Sequence, residues 1–277
     1  MNIQIKESNG GTFIFNTDFK QLLEENKIKS FDDLWSLSGE SVKKKLVERG
    51  TERVMLHSSS GKVETYLKRY LPLPLKEYFK AITSFRPFFP SGARHEWDAI
   101  IAFHKKNIPT MLPIAVGHNA AGKSALLTLA ITDYTRGSDL LKKWQEEKNV
   151  QVLRKKLIEN IAELAGNMHA ANFAHQDFYL VHLFVKEDMT VLPIDLQRII
   201  MPDQFGRRWR IKDLGQLLFS SLEYTSSKDR LLFWQKYTEI TGQELYKNRR
   251  LIRAIIRKAM SIYNRSQRKK LKRENEQ

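Results

Sequence analysis

The hydrophobic period of this chain changes near residue 132, and that change restricts the fold more than any other feature. Before it, residues 45–57 and 63–70 carry strand-like alternation on either side of the turn Ser58-Ser-Ser-Gly61, which predicts an antiparallel pair. Residues 113–116 and 125–131 predict two more strands, with the polar stretch 117–124 as their hairpin. Trp97, Ile100, Ile101 and His104 recur at helical spacing, so residues 93–106 predict a helix, closed off by Pro109. After residue 132 the apolar positions take helical spacing over 140–147 and 152–171, where Leu153, Leu157, Ile161, Leu164 and Met168 form one stripe. A single strand pair, 183–185 and 191–194 turning through 186–190, interrupts the helices. The pattern predicts an α+β fold of two lobes with a cleft between them. Residues 1–131 form an N-terminal antiparallel sheet with one helix, 132–244 a helix-rich lobe, and 245–277 a basic amphipathic helix and tail.

Composition narrows the chemistry. The chain has 277 residues and no cysteine, which excludes disulfide frameworks, thiolate catalysis, zinc ribbons and iron–sulfur clusters. Lys and Arg number 47 against 31 Asp and Glu, so an anionic partner is expected. The last 77 residues hold 19 basic and 8 acidic side chains, which concentrates the excess at the C-terminal end. No run reaches the roughly 18 to 20 apolar residues of a membrane span, and residues 1–10 lack the zones of a signal peptide. A soluble protein is therefore expected, with a cytoplasmic location.

The densest chemical signal is His175-Gln-Asp177-Phe-Tyr-Leu-Val-His182, followed thirteen residues later by Asp195 in Pro193-Ile-Asp-Leu. It follows a long amphipathic helix and spans the start of a hairpin. Phosphoryl transfer needs a carboxylate that orients or deprotonates an attacking hydroxyl and a hard oxygen ligand for Mg²⁺. Asp177 suits the first role and Asp195 the second, in the order of a protein-kinase catalytic loop and its metal aspartate. Upstream, Lys68 on a strand and Glu96 on the helix 28 residues later can pair, fixing a positive charge for the α and β phosphates of ATP. Gly50 is the one glycine beside the first strand turn that could help cradle phosphate.

Together with Arg207-Arg-Trp-Arg-Ile-Lys-Asp-Leu214 and Phe219-Ser-Ser221, this order resembles the Kdo/WaaP lipopolysaccharide kinase family over roughly residues 45 to 240. The resemblance implies a protein-kinase-like bilobal fold. It also implies an ATP- and Mg²⁺-dependent sugar kinase acting on the lipopolysaccharide inner core, with heptose or Kdo as acceptor, at the inner face of the cytoplasmic membrane. Carried onto this chain, it implies Asp177 as catalytic base, Lys68 as phosphate lysine, Glu96 as its partner and Asp195 as metal ligand. His182 stands where protein kinases place Asn, the second metal ligand. Asp213 is implied as an anchor of the catalytic loop, and Arg207, Arg208 and Arg210 as contacts to an anionic acceptor.

Other readings compete. Residues 117–124, Gly-His-Asn-Ala-Ala-Gly-Lys-Ser, match the P-loop pattern at every specified position. A P-loop must open a helix, whereas the apolar run after Ser124 is patterned as a strand, so Lys123 is expected in a hairpin turn. A catalytically inactive kinase-fold binding protein is a third reading. His169, His175 and His182 are spaced by six and seven residues, which matches no standard metal motif; His169 reads as a core residue and His175 as a brace for its own loop. Near the C-terminus, Arg250, Arg253, Arg257, Arg265 and Arg268 share one helix face and Leu251, Ile252, Ile255, Ala259, Ile262 and Tyr263 another. That helix either packs on its lobe with a solvated basic face or attaches to anionic lipid. No groove-reading or base-stacking motif is present, so nucleic acid is not expected as a partner.

Overall fold

The computed structural model describes residues 3–42, 49–72, 92–147 and 149–274. The chain forms two compact units, residues 1–132 with 196–198, and residues 133–195 with 199–277.

The first unit is built on seven antiparallel strands. In chain order its elements are β1 (Ile5–Ser8), β2 (Phe13–Asn16), α1 (Lys20–Glu25), α2 (Phe31–Ser36), β3 (Glu40–Ser41), β4 (Arg49–Ser58), β5 (Gly61–Tyr70), α3 (Ala93–Lys105), β6 (Pro113–His118) and β7 (Ser124–Leu129). The sheet runs β1-β2-β6-β7-β5-β4-β3. β4 and β5 pair along their whole length, from Arg49 opposite Tyr70 to Ser58 opposite Gly61, so the expected hairpin forms; residues 45–48 of the expected strand lie outside the described residues. Val54, Leu56, Leu67, Ala125 and Leu127 project from one face and pack against Leu22, Leu23, Phe31 and Leu34 of α1 and α2. On α3, Trp97, Ile100 and Phe103 are buried, and that helix packs on β5, β6 and β7. The two six-residue helices add to the one helix expected of this half. A capping signal marks the second: Ser30 Oγ accepts from Asp33 N–H, and Asp33 accepts in return from Lys29 N–H.

The second unit contains β8 (Tyr134–Arg136), α4 (Gly137–Lys143), α5 (Gln151–Ala170), β9 (Leu183–Lys186), β10 (Val191–Pro193), α6 (Arg207–Ser221), α7 (Ser227–Thr241) and α8 (Arg249–Glu274). β9 and β10 form the expected hairpin, and β8 joins it as an unexpected third strand. α5 packs on α7 and α6 on α8. The second pair approaches closely: a Cβ at Gly215 of α6 would lie 2.5 Å from Lys258 Cγ. The apolar stripe of α5 begins at Leu157; Leu153, expected to belong to it, is 43% exposed in the first turn of the helix. Ile252 and Ile262 of α8 are only half-buried and Tyr263 is exposed, so the buried face is confined to Leu251, Ile255 and Ala259. An apolar cavity of about 540 Å³ lies within this unit, lined among others by Leu157, Ile161, Leu217, Phe233, Trp234 and Ile255.

Candidate active site

In the first unit, Lys68 and Tyr70 lie two residues apart on β5, so their side chains leave the same face of the sheet. Both reach Glu96 in the first turn of α3. Lys68 Nζ donates to Oε1 at 2.5 Å, and the Tyr70 hydroxyl donates to Oε2 at 2.5 Å. The Glu96 side chain is wholly buried and that of Lys68 is 18% exposed, so the carboxylate is sealed inside while the ammonium sits at the margin. The start of α3 adds its partial positive charge beneath the carboxylate. This is a lysine fixed by packing and register, as a phosphate contact requires. Gly50 does not sit in a turn. It lies within β4 opposite Arg69, beside Thr51, which pairs with Lys68; the connection between β3 and β4, 43–48, lies outside the described residues.

The P-loop-like segment is the β6–β7 hairpin. Asn119 N–H donates to the Lys123 carbonyl, and its side-chain oxygen accepts Lys123 N–H at 3.0 Å. Ser124 Oγ accepts from Ala93 N–H at 3.1 Å and so caps α3. The segment opens a strand, which removes the strand-to-helix geometry that P-loop phosphate binding needs.

In the second unit, the loop after α5 is held by one face of α6. Asp213, Gln216 and Ser220 follow helical spacing and point the same way. Asp213 accepts His175 N–H at 2.7 Å and Gln176 N–H at 2.8 Å. Gln216 accepts Phe178 N–H and donates to the Gln176 carbonyl, and Ser220 accepts Leu180 N–H. Gln176, a non-glycine residue at φ 69°, can hold that left-handed backbone because its neighbours are fixed in this way. Asp177 is thereby set by its main chain. Of the three α6 side chains, Gln216 and Ser220 were not expected, although their spacing from Asp213 was legible.

Imidazole rings complete the loop. His175 Nε2 donates to the Ile194 carbonyl at 3.1 Å and its Nδ1 accepts Asp177 N–H at 3.3 Å. Burial holds the pKa of His175 below its ordinary value, so the ring is a neutral brace. His182 Nδ1 lies 2.7 Å from the Asp177 carbonyl oxygen, and its Nε2 lies 3.9 Å from Asp195 Oδ2. With Nδ1 as the donor, the lone pair of a neutral ring is on Nε2, beside the Asp195 carboxylate. Asp195 itself holds φ 62° two residues beyond the end of β10, a strained conformation for a non-glycine residue. Asp177, His182 and Asp195 are therefore brought into one constellation. It offers a metal one hard oxygen donor and one imidazole, and among the described residues no group of three or more His, Asp or Glu side chains could hold a metal ion.

Behind the loop runs a buried polar chain. Arg210 Nε donates to Tyr237 Oη at 2.7 Å, Tyr237 donates to His169 Nδ1 at 2.8 Å, and His169 Nε2 faces Asp213 Oδ2 at 3.4 Å. Burial pushes the Tyr237 hydroxyl up to about 12 and holds His169 below its ordinary value despite Asp213. Each link has one donor and one acceptor with His169 neutral. Arg210, expected at an anionic acceptor, is half-buried with its guanidinium against Tyr237 and the ring of Phe205. Arg207 is exposed and donates to the Arg250 carbonyl, and Arg208 is exposed and stacks on Trp209 at 3.9 Å.

Comparison with known proteins identifies the family. The model of the lipopolysaccharide kinase (Kdo/WaaP) family matches residues 32–239. The lipopolysaccharide core heptose(I) kinase WaaP of Pseudomonas aeruginosa is 30% identical over 64% of this chain and 71% of its own length. A protein of the same name from Escherichia coli is 28% identical over 87% of this chain and 94% of its own length. In fold, the chain is similar to a solved structure described as WaaP in complex with acyl carrier protein, with a TM-score of 0.70 and 24% identity over 94% of this chain and 100% of that one.

Proposed function

The chain belongs to the lipopolysaccharide kinase (Kdo/WaaP) family, and from that premise we propose that it transfers the γ-phosphoryl group of ATP to a heptose hydroxyl of the lipopolysaccharide inner core. The observation that carries this reading is the loop that presents Asp177, fixed by three side chains of α6 and adjoining the His182–Asp195 pair. Relatives named as core heptose(I) kinases support the choice of heptose.

In this reading Asp177 accepts the proton of the acceptor hydroxyl as the oxygen attacks, and Lys68, held by Glu96, contacts the phosphates of ATP. Asp195 and His182 would hold Mg²⁺. Two protein donors suit an ion that keeps water and phosphate oxygens in its other positions, and when bound it would neutralise charge on those oxygens. Arg207 and Arg208 remain available to an acidic acceptor. Incubation with labelled ATP and either intact or deacylated core acceptor tests the reading. Asp177→Asn should lower transfer by about 10² to 10⁴-fold with ATP affinity nearly unchanged. Near-normal turnover would contradict the assignment.

The apolar cavity favours a second role for the same protein. Its lining of leucine, isoleucine, phenylalanine and tryptophan suits an acyl chain, and the similar solved structure is of a WaaP with acyl carrier protein. Native mass spectrometry of the purified chain with carrier protein checks this. Binding of acylated but not unacylated carrier supports it, and equal binding of both contradicts it.

A further inference from the structure

The last helix outruns the lobe on which it packs. α8 spans Arg249–Glu274, but its buried residues end at Ala259, and every residue from Tyr263 to Glu274 is exposed. That stretch is roughly 18 Å of helix at about 1.5 Å per residue. It carries Arg265, Arg268, Lys269, Lys270, Lys272 and Arg273 against one acid, Glu274. A segment of this length is marginal as a helix on its own, and its like charges oppose one another. An anionic surface would relieve the repulsion.

The apolar side chains identify the surface. Ile256, Met260, Tyr263 and Leu271 are 47%, 42%, 37% and 59% exposed. At about 100° per residue they fall within roughly 80° of arc, shared with the polar Gln267 and Glu274 and offset from the buried face of Leu251, Ile255 and Ala259; Ile256 also lines the apolar cavity. Arg253, Arg257 and Arg268 border the arc on one side and Lys270 on the other. An acidic protein would satisfy the charges alone. Exposed apolar side chains gathered on one arc and edged by long basic side chains, with tyrosine among them, match a helix lying in a lipid headgroup layer.

We propose that α8 is a membrane-docking helix that inserts Met260, Tyr263 and Leu271 into the interface of an anionic bilayer, with the Arg265–Arg273 cations on lipid phosphates. Among the described residues no helix is long and apolar enough to cross a membrane, so attachment through this helix is peripheral. The proposal deepens the kinase reading by saying where the enzyme meets a lipid-anchored acceptor.

Co-sedimentation of the full chain with vesicles of phosphatidylglycerol and phosphatidylethanolamine, against vesicles of phosphatidylcholine alone, tests it. The wild type should bind the anionic vesicles selectively and less tightly as salt rises. Replacing Arg265, Arg268, Lys269, Lys270, Lys272 and Arg273 together by Gln should weaken binding at least about a hundredfold. Met260→Ser, Tyr263→Ser and Leu271→Ser combined should weaken it at least about tenfold. Retained binding in either variant, or equal binding to phosphatidylcholine, would overturn the proposal. So would a wild type that ignores vesicles but loses acyl carrier protein when the cations are replaced, which would assign the helix to an acidic protein. Transfer to a soluble, deacylated acceptor is measured alongside. Its absence in the wild type would count against the kinase reading and leave the vesicle result standing.

Discussion

The two units hold their reactive groups in different ways. In the first, Lys68 is placed by the register of one hairpin and met by the Glu96 carboxylate, which also accepts from Tyr70. In the second, Asp177 is placed through its backbone, and the side chains that hold that backbone come from α6 with support from α5 and α7. The sheet delivers a charge, and the helices deliver a conformation. A defect in the first unit should therefore cost activity more than stability, whereas a defect in the second should cost both.

The largest contrast is between Lys68→Met and Asp213→Asn. The first removes a fixed charge, and losses of about 10² to 10³-fold in transfer are usual for a single electrostatic contact of this kind. Its stability cost should stay near 1–3 kcal/mol, because Glu96 keeps its bond from Tyr70. Asp213→Asn puts an amide where the loop needs two acceptor oxygens, leaving a buried donor against a donor. It should cost about 2–4 kcal/mol and lower transfer as well. Urea unfolding and transfer assays on both variants measure the difference; equal stability losses would erase it.

Acid should separate the units next. Burial depresses the pKa of His104 in the first unit and of His169 and His175 in the second, each from an ordinary value of 6.5. The unfolded chain thus binds more protons than the folded one between the folded values and 6.5. Stability is then fully present above that ordinary value and falls as pH drops below it, by up to about 1.4 kcal/mol per pH unit for each group. Melting followed between about pH 7.5 and 5.5 should show the second unit, with two such histidines, losing more than the first. A flat profile would mean that these rings accept protons without leaving their places.

A smaller effect is expected from Tyr237→Phe. It deletes the hydroxyl joining Arg210 to His169 while keeping the ring packed on Phe233 and Trp234. The loss should be about 1–2 kcal/mol, since one buried acceptor and one buried donor lose partners but Asp213 keeps its backbone bonds. A loss as large as that of Asp213→Asn would show that the chain behind the loop acts as a unit.

Legibility in the sequence follows the same division. The β4–β5 and β6–β7 hairpins, α3 and the long α5 announce themselves by period and turn residues, because each buries one face of a regular element. β8 escapes notice because three residues cannot display alternation, and α2 because its Ser30–Asp33 cap was the only strong signal in a six-residue helix. Lys68, Glu96, Asp177, His182 and Asp195 are identifiable as an ordered set of chemical types. Three clustered arginines look alike in sequence, and only tertiary packing shows that Arg210 is turned toward a buried tyrosine. The sequence likewise does not show that Gly50 belongs to a strand that begins one residue earlier.

The smallest expected effect is at Lys123, where the sequence offered a second phosphate lysine. In the hairpin its ammonium lies 5.6 Å from the Trp35 ring centroid, a contact worth about 0.5–1 kcal/mol at an exposed site. Its backbone bonds to Asn119 survive replacement by alanine. Lys123→Ala should therefore change stability by about 1 kcal/mol at most and leave ATP affinity and transfer as they are. Ser124→Ala sharpens the contrast, because it removes the Oγ that accepts from Ala93 at the start of α3. It should cost about 0.5–2 kcal/mol and disturb Glu96 in the same first turn, so it lowers transfer more than Lys123→Ala does. If Lys123→Ala instead abolished ATP binding while Lys68→Met spared it, the assignment of the phosphate lysine to β5 would be wrong.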